Sequence, residues 1–262
     1  MGYVLENSGE GRRLEKQSRQ KHYSVDQELL GVTFSENEKV LDAGCGTGIV
    51  SKFLCENYPN HNLEIFGVDQ SLDRVEIAKN SQLGIHNNQI HYAKQNLFDL
   101  EFADNTFDKI ICRYVIEHVD NRQGLIKSLK RVLKPGGQLI IIDFDGLFLN
   151  IGTLNQKLQS DLESLNTKLG VDLFIGRKLP QMFNLEQFKD IEWKTTFHDF
   201  KGKDRNEEIE NNRSRCELIR PSLNRVFTNK SSIDDFINAY LEEIQNPLTP
   251  LFHTKFITKG TK

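Results

Sequence analysis

The stretch VLDAGCGTG, residues 40–48, decides how the rest of the chain is read. An apolar pair, Val40 and Leu41, leads into Asp42, and glycines follow at alternate positions, Gly44, Gly46 and Gly48. Ile49, Val50, Phe53 and Leu54 come directly after, an apolar face at helical spacing. That order spells a buried strand, a tight turn and the start of a helix. The turn needs glycine because its backbone angles are denied to residues with a Cβ, and because a ligand must approach the main chain closely. The helix start offers free N–H groups and a positive dipole end. A nucleotide-like ligand is therefore expected over residues 44–48.

Dinucleotide enzymes also use a glycine turn after a strand. Three features narrow the reading. An acid stands inside the first strand, and the glycines run G-x-G-x-G rather than G-x-G-x-x-G. A second acid, Asp69, ends the next apolar strand, Ile65–Val68, and KPGG at 134–137 precedes an apolar strand, Leu139–Ile142. Together these motifs resemble the class I S-adenosylmethionine-dependent methyltransferases, in particular the type 11 group acting on small molecules, over roughly residues 40–145. The resemblance implies an α/β, Rossmann-like, doubly wound seven-stranded sheet with an antiparallel last strand and a helical lid, and S-adenosyl-L-methionine as cofactor.

Composition agrees with a soluble enzyme. A chain of 262 residues accommodates one domain with an elaboration. The net charge of −3 forces no large basic surface, which disfavours a nucleic-acid partner. Cys45, Cys55, Cys112 and Cys216 lie far apart, without CxxC or metal-ligand spacing, and read as reduced thiols, so no metal is expected. The first residues, MGYVLENSGEGRR, hold no apolar core of a secretion signal. No apolar run approaches the ~20 residues of a membrane span. The expectation is a cytoplasmic monomer or homodimer, with no membrane and a small-molecule acceptor as partner.

In chain order, residues 1–30 read as an N-terminal cap, helical from Arg12 to Leu30, and 31–146 as the cofactor-binding core. The core strands are Lys39–Ala43, Glu64–Asp69, Ile90–Ala93, Asp108–Cys112 and Gln138–Asp143. Helices alternate with them, one ending at Pro59, one at Leu72–Asn80 capped by Ser71, and one capped by Asp120 or Asn121 with Leu125, Leu129, Val132 and Leu133 on one side. Such alternation means a parallel sheet with crossover helices. Residues 147–190 read as lid helices: Leu154, Leu158, Leu162, Leu165 and Leu169 make a stripe that Gly170 stops, and a short helix lies near Lys178–Phe188. Residues 191–200 and 251–258 are expected to close the sheet. The insertion between them, 201–250, carries helices over Glu207–Phe227 and Ile233–Ile244, the second with a serine cap, and extends the lid.

The resemblance assigns roles residue by residue. The backbone of Gly44, Cys45 and Gly46 suits the methionine end of the cofactor, with Gly48 also expected in the cofactor site and Asp42 drawing the ammonium group; the alternative for Asp42 is a helix-capping or strand-end acid. Asp69, followed by Gln70, has two acceptor oxygens for two ribose hydroxyls, and would repel a 2′-phosphate. Asn96 takes the adenine-reading place, Leu97 offers its N–H to the ring, and Asp99 competes if the alignment slips. Arg113 lends backbone to the cofactor.

Methyl transfer is an in-line displacement with an excellent leaving group, so the protein supplies position and, where the nucleophile carries a proton, a base. His118 is the candidate base, or else a loop-orienting histidine. Tyr23, Tyr114, Asp143 and Asp145 are the candidate substrate-facing groups, Tyr23 by closing the pocket, and the two aspartates either by holding an amine or by tying down the lid. His198 reads as structural. Arg213, Arg215, Arg220 and Arg225 are either a solvated face or a grip on an acidic substrate. An NAD-dependent oxidoreductase and a non-catalytic methyltransferase-like binding module are the alternative readings.

Overall fold

The computed structural model describes residues 21–81 and 89–262. Strands β1 (Lys39–Ala43), β2 (Glu64–Asp69), β3 (Gln89–Lys94), β4 (Phe107–Arg113), β5 (Leu133–Phe144), β6 (Lys189–Asp199) and β7 (Phe252–Thr261) form one sheet. Its order is β3-β2-β1-β4-β5-β7-β6. The first five strands pair in parallel, and β7 runs antiparallel between β5 and β6. Helices α1 (Val25–Glu28), α2 (Ile49–Asn57), α3 (Leu72–Asn80) and α4 (Arg122–Val132) belong to the core, followed by α5 (Gln156–Lys168), α6 (Leu179–Leu185), α7 (Gly202–Ile219) and α8 (Lys230–Gln245).

Strand alternation sorts the apolar residues into two layers. Leu41, Ala43, Ile110, Cys112, Leu139 and Ile141 pack with Leu125 and Leu129 of α4 and Phe183 of α6. Val40, Ile111, Ile140, Ile142 and Ile257 pack with Val25, Val50 and Leu54 from α1 and α2. Both sheet faces are thus covered, which is why the central strands read as continuous apolar runs. A third cluster joins Leu158, Leu162 and Leu165 of α5 to Ile233, Phe236 and Tyr240 of α8 beneath the lid.

Several boundaries differ from the sequence reading for identifiable reasons. Arg12–Gln20 of the expected cap helix lie outside the described residues. The remainder is a 3-10 turn, Lys21–Tyr23, and the single turn α1, separated by Ser24 in extended backbone. β5 begins at Leu133 and runs through KPGG, with Gly136 at φ +77°, so Leu133 leaves the helix for the sheet. Leu154 is 96% exposed, because α5 begins only after Asn155, whose side chain accepts from Leu158 N–H. Asn229, not a serine, caps α8, and α7 ends at Ile219 before Pro221. Asn121 is the residue that caps α4.

A cavity over the glycine loop

Where β1, β2 and β4 end, the sheet opens into a cavity of 340 Å³. Asp42, Gly44, Cys45, Gly46, Asp69 and Gln70 form its floor, Asn96, Leu97 and Phe98 one side, and Arg113, Tyr114 and His118 another. Gly170 and Arg225 reach it from the lid. Ligands of open α/β sheets bind in this crevice outside the carboxyl ends of the strands.

The glycine loop is pinned by its neighbours. Gly44 N–H and Cys45 N–H both donate to Val68 C=O, at 2.8 and 2.9 Å. Gly46 N–H donates to Asp69 Oδ2 at 3.0 Å and Ser71 N–H to Asp69 Oδ1 at 2.9 Å, so each carboxylate oxygen holds one backbone group and keeps further acceptor capacity. Gly46, at φ +52°, has open space where a Cβ would stand, which leaves bare main chain facing the cavity. Gly48 does something else. It starts α2 in the left-handed region at φ +79°, and a Cβ there would lie 2.2 Å from the Tyr92 hydroxyl. It is a packing residue, absent from the cavity wall.

Asp42 performs the capping role as well as lining the cavity. Ser51 N–H and Oγ–H both donate to its Oδ2, at 3.1 and 2.7 Å, in the first turn of α2. Burial pushes its pKa up to about 6, against the pull of the Ser51 bonds. Asn96 lines the cavity while Asp99 does not, and Asn96 Oδ1 accepts from Phe98 N–H at 3.0 Å, which fixes the turn. Phe98 is 44% exposed beside it.

Arg113 and Tyr114 are held from behind by charge. Glu28 Oε2 accepts from Arg113 Nε at 2.6 Å, and its Oε1 accepts from Lys255 Nζ at 2.7 Å and from the Tyr114 hydroxyl. Burial alone would raise the Glu28 pKa, but Arg113 and Lys255 overcome it and hold the carboxyl below its usual range. Tyr114 takes φ +57°, and its ring stacks on Phe144 at 4.6 Å. A bulky residue in that backbone region stores strain that its surroundings must over-determine, as happens at functional sites.

Three expected substrate-facing residues are elsewhere. Tyr23 is buried under the lid, where its hydroxyl accepts from Arg215 Nη2 at 3.2 Å and its carbonyl from Arg113 Nη2 at 2.7 Å. It braces the Arg113 side chain instead of closing the cavity. Asp143 is fully buried and accepts from Phe144 N–H and Glu117 N–H, at 2.8 and 3.3 Å. Burial and the neighbouring Glu117 carboxyl raise its pKa well above the usual carboxylate range. Asp145 forms an ion pair with Arg177 at 2.7 Å, tying the segment before α6 to the end of β5. His118 does line the cavity, with Nε2 3.1 Å from Glu117 Oε1.

The sequence reading missed a second buried polar cluster. Glu208 of α7, 0% exposed, faces Arg215 at 3.2 Å, His253 at 3.2 Å and His22 at 3.8 Å. His22, His253 and Glu208 place ligand atoms within 4.8 Å of one another, as do His22, His198 and Asp204. Glu208 is already committed, however, since Asn211, Asn212 and Arg215 all donate to its oxygens. A cation there would meet the Arg215 guanidinium, so the cluster reads as a clamp between lid and sheet. The available signal was the pair His253 and Lys255 at alternate, inward positions of β7.

A dinucleotide fold of the common doubly wound kind orders its parallel strands 3-2-1-4-5-6. Here an antiparallel β7 is wedged between β5 and β6. A family model described as "Methyltransferase domain" matches residues 41–141, the segment that carries the cavity floor. Over these residues the chain is similar to methyltransferase domains. Relatives of this domain include a phosphoethanolamine N-methyltransferase of Triticum aestivum, 26% identical over 206 residues, covering 79% of this chain and 35% of the relative. A ubiquinone/menaquinone biosynthesis C-methyltransferase of Pasteurella multocida is 34% identical over 110 residues, 42% of this chain and 41% of the relative. The chain therefore spans well under two thirds of either relative's length. Among solved structures, phosphoethanolamine N-methyltransferase 2 of Haemonchus contortus, in complex with phosphomonomethylethanolamine and S-adenosylhomocysteine, superposes with a TM-score of 0.63 at 19% identity, covering all of this chain and 60% of that one. At that identity the likeness concerns the methyltransferase fold alone.

Proposed function

We propose that this chain is an S-adenosyl-L-methionine-dependent methyltransferase acting on a small-molecule acceptor at an O, N or C atom. The observation that carries this reading is the pairing of Gly46 and Asp69. A side-chain-free loop faces a cavity, and the carboxylate beside it is already oriented by Gly46 and Ser71 N–H groups. That combination fits the cofactor: open main chain for its amino-acid end, and two acceptor oxygens for its sugar. When bound, the cofactor supplies a methyl group on a sulfonium, which needs no further activation.

The chain's own residues do the rest. Gly44, Cys45 and Gly46 present main chain to the amino-acid end, and Asp42 attracts its ammonium group. Asp69 and Gln70 hold the sugar, while Asn96, Leu97 and the exposed ring of Phe98 enclose the base. Arg113 contributes its backbone and Tyr114 the wall towards the acceptor, both immobilised by Glu28. His118 takes a proton from an acceptor that carries one, with Glu117 orienting its ring. The four cysteines are all free thiols, in keeping with a cytoplasmic setting. No described helix is long and apolar enough to cross a membrane. The test is a calorimetric titration with S-adenosylhomocysteine and, separately, NADH. Binding of the first supports the reading, and binding of NADH alone overturns it.

A further inference from the structure

The lid insertion is rich in arginine, and the partners of those arginines set one of them apart. Arg213 pairs with Glu210, Arg215 with Glu208, and Arg220 with Glu217 and Asp234. Arg205 is spent on the carbonyls of Ile244, Asn246 and Thr249. Among the described residues no carboxylate forms an ion pair with Arg225, which also lines the cavity. Among the described residues its one hydrogen bond is from Nη1 to Leu169 C=O, at 3.2 Å. A guanidinium has five N–H donors in a planar fork, so four remain.

Its placement depends on a glycine. Gly170, at φ +88°, follows α5, and a Cβ there would lie 2.6 Å from Arg225 Nη1. The gap that ends the helix thus also seats the guanidinium, and the carbonyl end of α5 attracts its charge. Of the other two cavity arginines, Arg113 is neutralised by Glu28 and turned away towards Tyr23, and Arg74 belongs to α3 beside the Asp69 floor rather than to the lid. Asp120 lines the cavity too, so any anion must be drawn to Arg225 itself rather than to a generally positive wall.

We infer that the acceptor carries a compact oxyanion, a carboxylate or a phosphate monoester, and that Arg225 binds it at the lid end of the cavity. This rests on the methyltransferase reading for what the rest of the cavity holds. The guanidinium fork matches either oxyanion through two parallel N–H···O bonds. Placed on the insertion rather than on the sheet, Arg225 selects the acceptor without touching the cofactor loop.

The test uses the whole chain with inorganic phosphate and with acetate as probes, at constant ionic strength set with chloride, read by calorimetry and by thermal shift. Wild type should bind one of the two; phosphate marks a phosphate monoester acceptor and acetate a carboxylate. Arg225→Gln should weaken that binding roughly tenfold or more, Arg225→Lys should weaken it less, and Arg220→Gln, outside the cavity, should leave it unchanged. Binding of S-adenosylhomocysteine should be equal in wild type and Arg225→Gln. Failure of wild type to bind either anion, or equal anion binding by Arg225→Gln, overturns the assignment. Loss of S-adenosylhomocysteine binding by wild type overturns the methyltransferase reading instead.

Discussion

Glu28→Ala is the perturbation with the largest calculable consequence. Glu28 is 2% exposed at its side chain and stands between two buried cations, Arg113 at 2.6 Å and Lys255 at 2.7 Å. Removing it leaves both without their counter-charge. Deleting one member of a buried pair costs roughly 3–5 kcal/mol, out of a total stability of about 5–15 kcal/mol. At roughly 2–4 °C per kcal/mol for a chain of this size, the melting temperature should fall by roughly 6–20 °C. Glu28→Gln keeps the shape and some hydrogen bonds but not the charge, and should fall between the two. The pH dependence follows in sign. The Glu28 pKa is lowered in the folded state, so its contribution is present above the unfolded carboxylate pKa and lost as pH falls through the folded one. The acid limb of the stability curve should therefore be shallower in Glu28→Ala. The same variant should weaken S-adenosylhomocysteine binding, because Arg113 and Tyr114 form a cavity wall. A melting temperature within 1 °C of wild type, checked by calorimetry on the scale above, refutes the clamp.

Other outcomes follow from the same geometry. Gly48→Ala forces a Cβ into a left-handed position 2.2 Å from the Tyr92 hydroxyl and should cost roughly 2–5 kcal/mol in urea unfolding; an unchanged midpoint contradicts it. Burial raises the Asp42 pKa to about 6, so attraction of an ammonium group needs the carboxyl ionised: S-adenosylhomocysteine affinity should rise with pH through 6, and Asp42→Asn should abolish that slope. Asp145→Asn breaks an ion pair whose Arg177 side chain is 57% exposed, and solvent screening limits the loss to about 1 kcal/mol. A larger drop in urea stability makes Asp145 more than a lid tie.

The parts of the fold that were legible in the sequence are those set by local physics. Lys39–Ala43 and Glu64–Asp69 match the observed β1 and β2, and Leu72–Asn80 the observed α3; Gly44 turns the chain after β1 at φ +76°, and the Ser71 side chain caps α3 directly after β2. The cavity residues Asp42, Gly44, Cys45, Gly46, Asp69, Asn96, Leu97 and His118 come together as the motif order implies. Pairings between distant segments were not legible. Nothing local to Glu28, Arg113 or Lys255 tells that they meet, and α7 hides Glu208 and Arg215 on a buried polar face where apolar periodicity is silent. Asp143 follows the buried face of β5 because position at a strand end does not tell which side of the sheet a side chain serves, whereas Asp145 takes the lid-tying alternative; Tyr23 sits under the lid because its partners Arg113 and Arg215 come from distant segments.

The account depends on an adenosyl ligand lying between the Gly46 main chain and Asp69. The direct measurement is calorimetric titration of S-adenosylhomocysteine into wild type and Asp69→Ala at neutral pH. Saturable binding is expected in wild type, with Asp69→Ala weaker by roughly 1–3 kcal/mol, or about 5–150-fold. Equal affinity in the two proteins, or no heat in wild type, contradicts it.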